Sequence, residues 1–195
     1  MSDRPLRVIG LTGGIATGKS TVSNYLANQH HLPIFDADIY AREAVEPGSA
    51  VLERIVDRYG TEILLADGTL NRRRLGEAIF NNFYERQWLE QQIHPYVRDR
   101  LKAALNYPTA PVLVLAIPLL FEAQMTDLVT EIWVVCCSPE RQLERLMKRD
   151  RLTLEEARLR IDSQMPIADK CDRADVVLDN SSTLEALCKQ IDLVL

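Results

Sequence analysis

Nine consecutive residues, Gly13-Gly14-Ile15-Ala16-Thr17-Gly18-Lys19-Ser20-Thr21, fit the pattern G-x-x-x-x-G-K-[ST], and each fixed position suits a task in gripping a phosphate chain. Gly13 and Gly18 permit backbone angles that a side chain would forbid, so successive N–H groups can converge on one oxyanion. Lys19 carries a compact charge that reaches β- and γ-phosphates. Ser20 offers a hydroxyl to a Mg²⁺ ion bridging them. The expected ligand is therefore a nucleoside triphosphate with Mg²⁺. A Gly-rich turn that binds nothing is the competing interpretation.

Other residues fall where chemistry would need them. Asp36-Ala37-Asp38 follows a short apolar run, Leu32–Phe35, that reads as a strand. In an open α/β sheet, ligands gather beyond the carboxyl ends of the strands, the edge that also carries a phosphate loop. A carboxylate there aligns an acceptor hydroxyl, takes its proton, or holds Mg²⁺ through water. Asp38 is the candidate base and Asp36 its support. The alternative makes Asp38 a helix N-cap before Ile39-Tyr40-Ala41, with Arg42 as its i+4 partner. Arg141, Arg145 and Arg149 fall at i, i+4 and i+8. Like charges at that spacing cost about 0.2–0.5 kcal/mol per pair in an isolated helix, so the stripe gains from an anion to meet. A solvated face softened by Glu140 and Glu144 is the other interpretation.

Arg72-Arg73-Arg74 opens a helical pattern, a poor place for cations on dipole grounds, and suits a second phosphorylated ligand as well as it suits open surface. His94-Pro95 marks a helix boundary nearby. Asn180 follows the last strand and is within reach of an adenine, although an Asn in a turn needs no ligand. Neither His30 nor His31 combines with His94 at zinc-ligand spacing. Asp57-Arg58-Tyr59-Gly60 matches D-x-x-G but ends a helical pattern, and Asp169-Lys170-Cys171-Asp172 lacks the Asn or Thr of a guanine reader.

The elements that must position these groups follow from periodicity. Apolar runs at Arg7–Leu11, Leu32–Phe35, Val112–Ile117, Glu131–Cys137 and Asp175–Leu178 read as strands separated by helical patterns. That alternation predicts an α/β domain with a mainly parallel sheet. A helix opens at Ser20–Ala27, its N-terminus directed at the phosphates. The long interval from Asp36 to Pro111 reads as a helical insertion leaning over the carboxyl edge of the sheet. Its apolar faces are Leu75, Ile79, Phe83 and Leu89, Ile93, Val97, Leu101, Leu105. Pro139 to Gln164 reads as two helices joined near Asp150–Thr153, with a capping box at Thr153 and Glu156, and suits a closing lid.

The 195 residues, 47% hydrophobic and 26% charged, fit one globular domain. Net charge is −5, which argues against broad nucleic-acid binding, yet 18 of the 23 basic residues are Arg. That bias points to a small polyanionic ligand held bidentately. The longest apolar run, Val112 to Phe121, is too short for a bilayer, and no basic-then-apolar leader opens the chain. A cytoplasmic protein without a membrane partner is expected, as a monomer or small homo-oligomer. Cys136, Cys137, Cys171 and Cys188 show no C-x-x-C spacing; adjacent Cys136 and Cys137 read as core filler on opposite strand faces.

Taken in order, Leu11-Thr12-Gly13-Gly14-Ile15 with Gly18-Lys19-Ser20-Thr21, Asp36-Ala37-Asp38 with Arg42, Asp67-Gly68-Thr69-Leu70-Asn71-Arg72, Ile93-His94-Pro95, Pro118-Leu119-Leu120-Phe121-Glu122, Arg145, Arg149-Asp150, Gln164, and Ala174-Asp175-Val176-Val177 with Asn180 span nearly the whole chain. This series resembles the dephospho-coenzyme A kinases. The resemblance implies ATP-dependent phosphorylation of the ribose 3′-hydroxyl of dephospho-coenzyme A, the last step of coenzyme A synthesis. It implies a P-loop kinase of the nucleotide-kinase type: a three-layer fold with a five-stranded parallel sheet in the order 2-3-1-4-5. The core would comprise 1–37, 110–138 and 166–195, the helical substrate insertion 38–109, and the lid 139–165.

In that picture residues Gly13 to Thr21 hold ATP, with Asn180 near its adenine. Asp38 activates the hydroxyl, and Lys19, Arg149 and Arg145 act on the transferred group. Asp36, Asp38, Arg42, Arg72, His94, Leu119 and Glu122 face the acceptor, and Ser20 meets Mg²⁺ with waters. Two departures stand out: Ala116 occupies a position acidic in many relatives, and Asn180-Ser181-Ser182 replaces an Asn-x-Gly. Phosphate loop and lid alone leave open a nucleoside or nucleotide monophosphate kinase, and an ATP-controlled regulatory module docking a partner protein.

Overall fold

The computed structural model describes residues 6–80, 82–106, 108 and 110–195. Five strands, β1 (Arg7–Gly13), β2 (Ile34–Asp36), β3 (Val112–Ala116), β4 (Glu131–Cys136) and β5 (Val176–Asp179), form one sheet. Their order is β2-β3-β1-β4-β5, the order the family resemblance implies, and every neighbouring pair is parallel. A parallel sheet covered on both faces takes continuous apolar runs, and Val8 to Gly13 is buried throughout. All five carboxyl ends lie along one edge. Register there sets Gly13 beside Val135 and Asp36 beside Ala116.

Strand limits differ from the periodicity where pairing outweighs it. β1 runs two residues past Leu11 because Thr12 and Gly13 pair with Val134 and Val135. β2 starts at Ile34 because Leu32 donates its N–H to Leu26, not to the sheet. Asp36 consequently ends β2 instead of following it. Cys137 falls just outside β4, so the adjacent cysteines do not share a strand as expected.

One face of the sheet packs on α1 (Lys19–Gln29) and α9 (Leu184–Val194). Val22 and Leu26 of α1 join Leu187 and Ile191 of α9 over Ile9, Leu11, Trp133 and Leu178. Each such side chain contributes about 1.5–3 kcal/mol on burial. The lid pattern forms two helices, α6 (Pro139–Asp150) and α7 (Leu154–Asp162). Ser138 caps α6, Arg151 ends it in the left-handed region, and Thr153 and Glu156 form the capping box in both directions. The short α8 (Ile167–Cys171) leads into β5.

The chain divides into two compact units. One runs to Asp36 and resumes at Ala104; the other is Ala37–Ala103. The expected boundary between insertion and core falls at residue 109, which lies outside the described residues, as do residues 1–5 of the expected core. The second unit holds α2 (Ala37–Glu43), α3 (Ala50–Tyr59), α4 (Arg72–Phe80) and most of α5 (Phe83–Asn106). Val51, Leu52, Ile55, Ile63, Leu70, Leu75 and Leu89 give it a core of its own.

Three expectations change in this unit. α2 begins at Ala37, so Asp38 stands in its first turn and is not the N-cap. Pro95 lies inside α5 and marks no boundary. An interior Pro costs about 3 kcal/mol, but Leu89, Val97 and Leu101 are buried on either side of it and hold one helix through it. Phe83 leaves the apolar face and is exposed at the start of α5, because the Asn82 carboxamide caps the new helix through the N–H groups of Tyr84 and Glu85.

A polar knot braces α3 against α5. Arg58 holds the Glu85 carboxylate through two hydrogen bonds of 2.7 Å, Tyr59 donates to the same carboxylate, and the Arg58 guanidinium lies 4.5 Å from the centre of the Trp88 ring. Arg58 first, then the Tyr59 hydroxyl, pulls the Glu85 carboxyl down from 4.5 to about 2. A carboxyl held low stabilises the fold above its unfolded value and loses that effect as pH falls through its folded value. Glu85→Gln should therefore lower the urea midpoint at neutral pH, with the gap to wild type closing between pH 4.5 and about 2. Trp fluorescence titrations at several pH values would reveal a pH-independent gap if the carboxylate charge were irrelevant.

Candidate active site

β1 delivers the chain to Gly13 and α1 takes it up at Lys19, so the intervening residues turn at the carboxyl edge of the sheet. The two fixed glycines serve different needs. Gly18 adopts φ 108° and has no room for a Cβ, which would stand 2.1 Å from Asn180 Nδ2. Gly13 is not in the left-handed region, contrary to the backbone-angle reading. It is needed for space: a Cβ there would lie 2.5 Å from the Val135 carbonyl oxygen. Ala16, with φ 60°, takes the left-handed turn between them. Hydroxyls of Ser49, Ser138, Thr153 and Thr183 cap α3, α6, α7 and α9, whereas no side chain caps α1. The N-terminal donors and partial positive charge of α1 are thus directed at whatever occupies the loop.

The loop's carbonyls are held from outside. Asn180, buried after β5, donates Nδ2 to the Thr17 carbonyl at 2.8 Å. Arg145 donates to the same carbonyl at 3.5 Å and to the Asn180 carbonyl at 3.1 Å. In a trans peptide the next N–H opposes the carbonyl, so fixing Thr17 aims the Gly18 amide. Ala16, Gly18, Thr21, Arg145, Asn180, Ser182 and Leu184 surround a cavity of about 360 Å³. Asn180 therefore lines a cavity and supports the loop at once. The Asp179 carboxylate accepts from the Ser181 N–H, and the Ser181 hydroxyl accepts from the Ser138 N–H; these bonds shape the turn at Asn180-Ser181-Ser182.

Lys19 Nζ stands 3.9 Å from the Asp36 carboxylate. Asp36 ends β2 directly beside Ala116 of β3, so it supplies a carboxylate at that point of the sheet edge. Ser20 and Thr21 are exposed. Among the described residues no group of three His, Cys, Asp or Glu side chains encloses a metal. The oxygen donors present, the Ser20 hydroxyl and the Asp36 carboxylate, are of the hard type Mg²⁺ takes when phosphates and water complete its shell.

The arginine stripe divides by partner. Arg145 is half-buried and bound to the loop, whereas Arg149 forms a two-point pair with Asp150 at 2.8 and 3.0 Å. Asp150 also accepts from Arg160 of α7 at 2.9 Å, so it ties α6 and α7 together. Glu122 pairs with Lys170 at 2.8 Å and accepts the Met165 N–H at 3.1 Å. Lys170 is fully buried and donates to the Pro118 carbonyl, which also accepts from Thr12. The turn from Pro118 through half-buried Leu119 to Glu122 is thereby anchored to β1, α8 and the end of the lid segment. A lysine in an acidic tetrapeptide gave no sign of that burial. Cys136 is pushed up to about 12, chiefly by burial, and packs as a neutral group.

In the second unit, Asp38 and Arg42 are exposed on α2, and Arg72 is exposed at the start of α4. Arg72 donates to the Arg42 carbonyl at 3.5 Å, bringing those two together. His94 is half-buried in α5; burial lowers its pKa against the opposing pull of Glu90.

Residues 7–186 match the family model for dephospho-CoA kinase. A dephospho-CoA kinase of Trichormus variabilis is 66% identical over 189 residues, covering 97% of this chain and 96% of its own. A crystal structure from Thermus thermophilus superposes with a TM-score of 0.81 at 34% identity, covering 97% of this chain and 96% of that one. The dephospho-CoA kinase from Campylobacter jejuni gives 0.70 at 29% identity, with 96% and 94% covered.

Asn180→Asp would set a carboxylate oxygen against the Thr17 carbonyl in place of an N–H donor. Loss of that buried donor should cost about 1–3 kcal/mol and weaken nucleotide binding. Chemical denaturation and nucleotide titration together test this; unchanged stability would show that Thr17 needs no donor from Asn180.

Proposed function

This chain belongs to the dephospho-CoA kinase family, phosphotransferases of the final step of coenzyme A synthesis, and we propose how its residues move a phosphoryl group from ATP to the ribose 3′-hydroxyl of dephospho-coenzyme A. The observation that carries this reading is the Lys19 ammonium, at the head of an uncapped helix and 3.9 Å from Asp36. It places a movable positive charge among convergent amides at the sheet edge.

The amides of Ala16, Gly18, Lys19 and Ser20 take the phosphate oxygens of ATP, while the Thr17 and Thr21 N–H groups stay on the Gly14 and Gly18 carbonyls, and Lys19 follows the charge that builds on the β- and γ-phosphates. Mg²⁺, when bound with the nucleotide, neutralises phosphate charge; Ser20 and Asp36 are the residues to hold it, in part through water. The adenine takes the cavity walled by Asn180, Ser182 and Leu184. Asp38, two residues beyond the end of β2, orients the acceptor hydroxyl and takes its proton as that oxygen bonds to the γ-phosphorus and the bond to the β–γ bridging oxygen breaks, releasing ADP. Arg149 exchanges Asp150 for the oxygens of the transferred group, where its planar fork stabilises the transition state. Arg145 contributes through the loop it holds.

On the acceptor side, Arg42 and Arg72 suit the phosphates of dephospho-coenzyme A. His94, kept neutral by burial, offers a hydrogen bond and not a charge. Leu119 gives apolar contact, and Glu122 acts through the turn it fixes with Lys170.

Following ADP release and product mass with ATP, Mg²⁺ and a panel of dephospho-coenzyme A, nucleosides and nucleoside monophosphates tests the acceptor. ADP release that depended on another acceptor, without coenzyme A, would sink this reading. Asp38→Asn should reduce kcat by at least ~10²-fold with ATP affinity near wild type. Near-normal turnover would reduce Asp38 to a first-turn carboxylate. Arg149→Ala should lower kcat more than it weakens ATP binding, whereas a pure rise in KM would make it a substrate clamp.

A further inference from the structure

Both peptide groups of one phosphate-loop residue are taken by side chains from the two ends of the lid segment. The Ile15 N–H donates to Gln164 Oε1 at 2.8 Å. The Ile15 carbonyl accepts from Gln142 Nε2 at 2.9 Å. Gln142 is buried in the first turns of α6, and Gln164 lies two residues past the end of α7. The lid helices, with Arg149 and Asp150 at their junction, lie between these two attachments.

We propose that Gln142 and Gln164 are positioning residues that set the phosphate loop from the feet of the lid and make loop and lid respond to nucleotide together. This rests on the reading of the loop as the ATP site. Gln142 fixes the Ile15 carbonyl, and the trans peptide then turns the Ala16 N–H to the opposite side, where an anion can receive it. Gln164 withdraws the Ile15 N–H from that set, so the amides offered to phosphate begin at Ala16. Two further features agree. Ala16 keeps φ 60°, a conformation an alanine holds only where its surroundings determine it. Gly14 leaves room for the Gln142 carboxamide, since a Cβ there would stand 2.8 Å from Nε2.

Polarity matters as much as contact. Gln142 must present its NH₂ and Gln164 its oxygen. The carboxamide is the neutral side chain that provides either on a long stem. Gln164→Met and Gln142→Met keep the length and remove the bond without adding charge near phosphate.

The test combines ADP calorimetry, KM and kcat for both substrates, and hydrogen exchange over residues 13–21 and 139–165 with and without saturating ADP. In the unsubstituted chain ADP should slow exchange in the loop and in both lid helices. In Gln164→Met, ADP affinity and KM for ATP should worsen about tenfold, the net worth of one hydrogen bond, with KM for dephospho-coenzyme A unchanged. Saturating ADP should then protect the loop but no longer the lid. A purely structural role would lower the melting temperature and leave both KM values and the lid response intact, overturning the proposal. Should Gln142→Met fail to fold, the half-exposed Gln164 decides alone. Failure of the unsubstituted chain to bind ADP would overturn the loop reading itself, and this inference with it.

Discussion

Turning several backbone N–H groups toward one point is electrostatically unfavourable for a short loop, because their carbonyls must face elsewhere and find partners. That constraint organises the structure around residues 13–18. The Thr17 carbonyl is taken by Asn180 and Arg145, and the Ile15 carbonyl by Gln142. Gly13 lies so close to the Val135 carbonyl oxygen that no side chain fits. The partners come from the end of β5, from α6 and from β4, so the loop is built by the fold around it more than by its own residues. A buried carbonyl held by a side-chain donor is worth only about 1 kcal/mol net, but leaving it unmade costs about 1–3. The surroundings therefore enforce the geometry chiefly by penalising alternatives.

The charged groups follow the same economy of position. Lys19 and Asp36 face each other at the ends of β1's loop and of β2, and the β2–β3 register brings Asp36 to Ala116. The arginines of α6, equivalent by spacing, have become different residues: one supports the loop and another pairs with a carboxylate at the tip of the lid. Arg149 is exposed with its partner next in sequence, whereas Arg145 is half-buried on two carbonyls from distant segments.

Buried Lys170 extends the network to the opposite side of the sheet edge. Its pair with Glu122 fixes the turn after β3, and the Met165 N–H brings the end of the lid segment to the same carboxylate. The Ala37–Ala103 unit has an independent apolar core and its own polar brace at Glu85. A core of that kind holds Asp38, Arg72 and His94 on helices packed within their own unit.

By itself the sequence determined the parallel α/β class, the phosphate-loop motif, the helical pair after β4 with its capping box, and the family, because these depend on local period, short spacing and ordered motifs. Helix limits set by burial were less legible: Pro95 runs through α5 and Phe83 starts it, since packing on either side outweighs local propensity. The partners were least legible of all. Nothing in the spacing of Gln142, Gln164, Lys170 or Asn180 reveals which carbonyl, amide or carboxylate each will meet, because those groups come from segments roughly fifty to more than a hundred residues away. Only tertiary folding could decide that Arg145 holds the loop while Arg149 pairs with Asp150 at the end of α6. A hydrogen bond is fixed by distance and direction in space, and neither is written in the order of the chain.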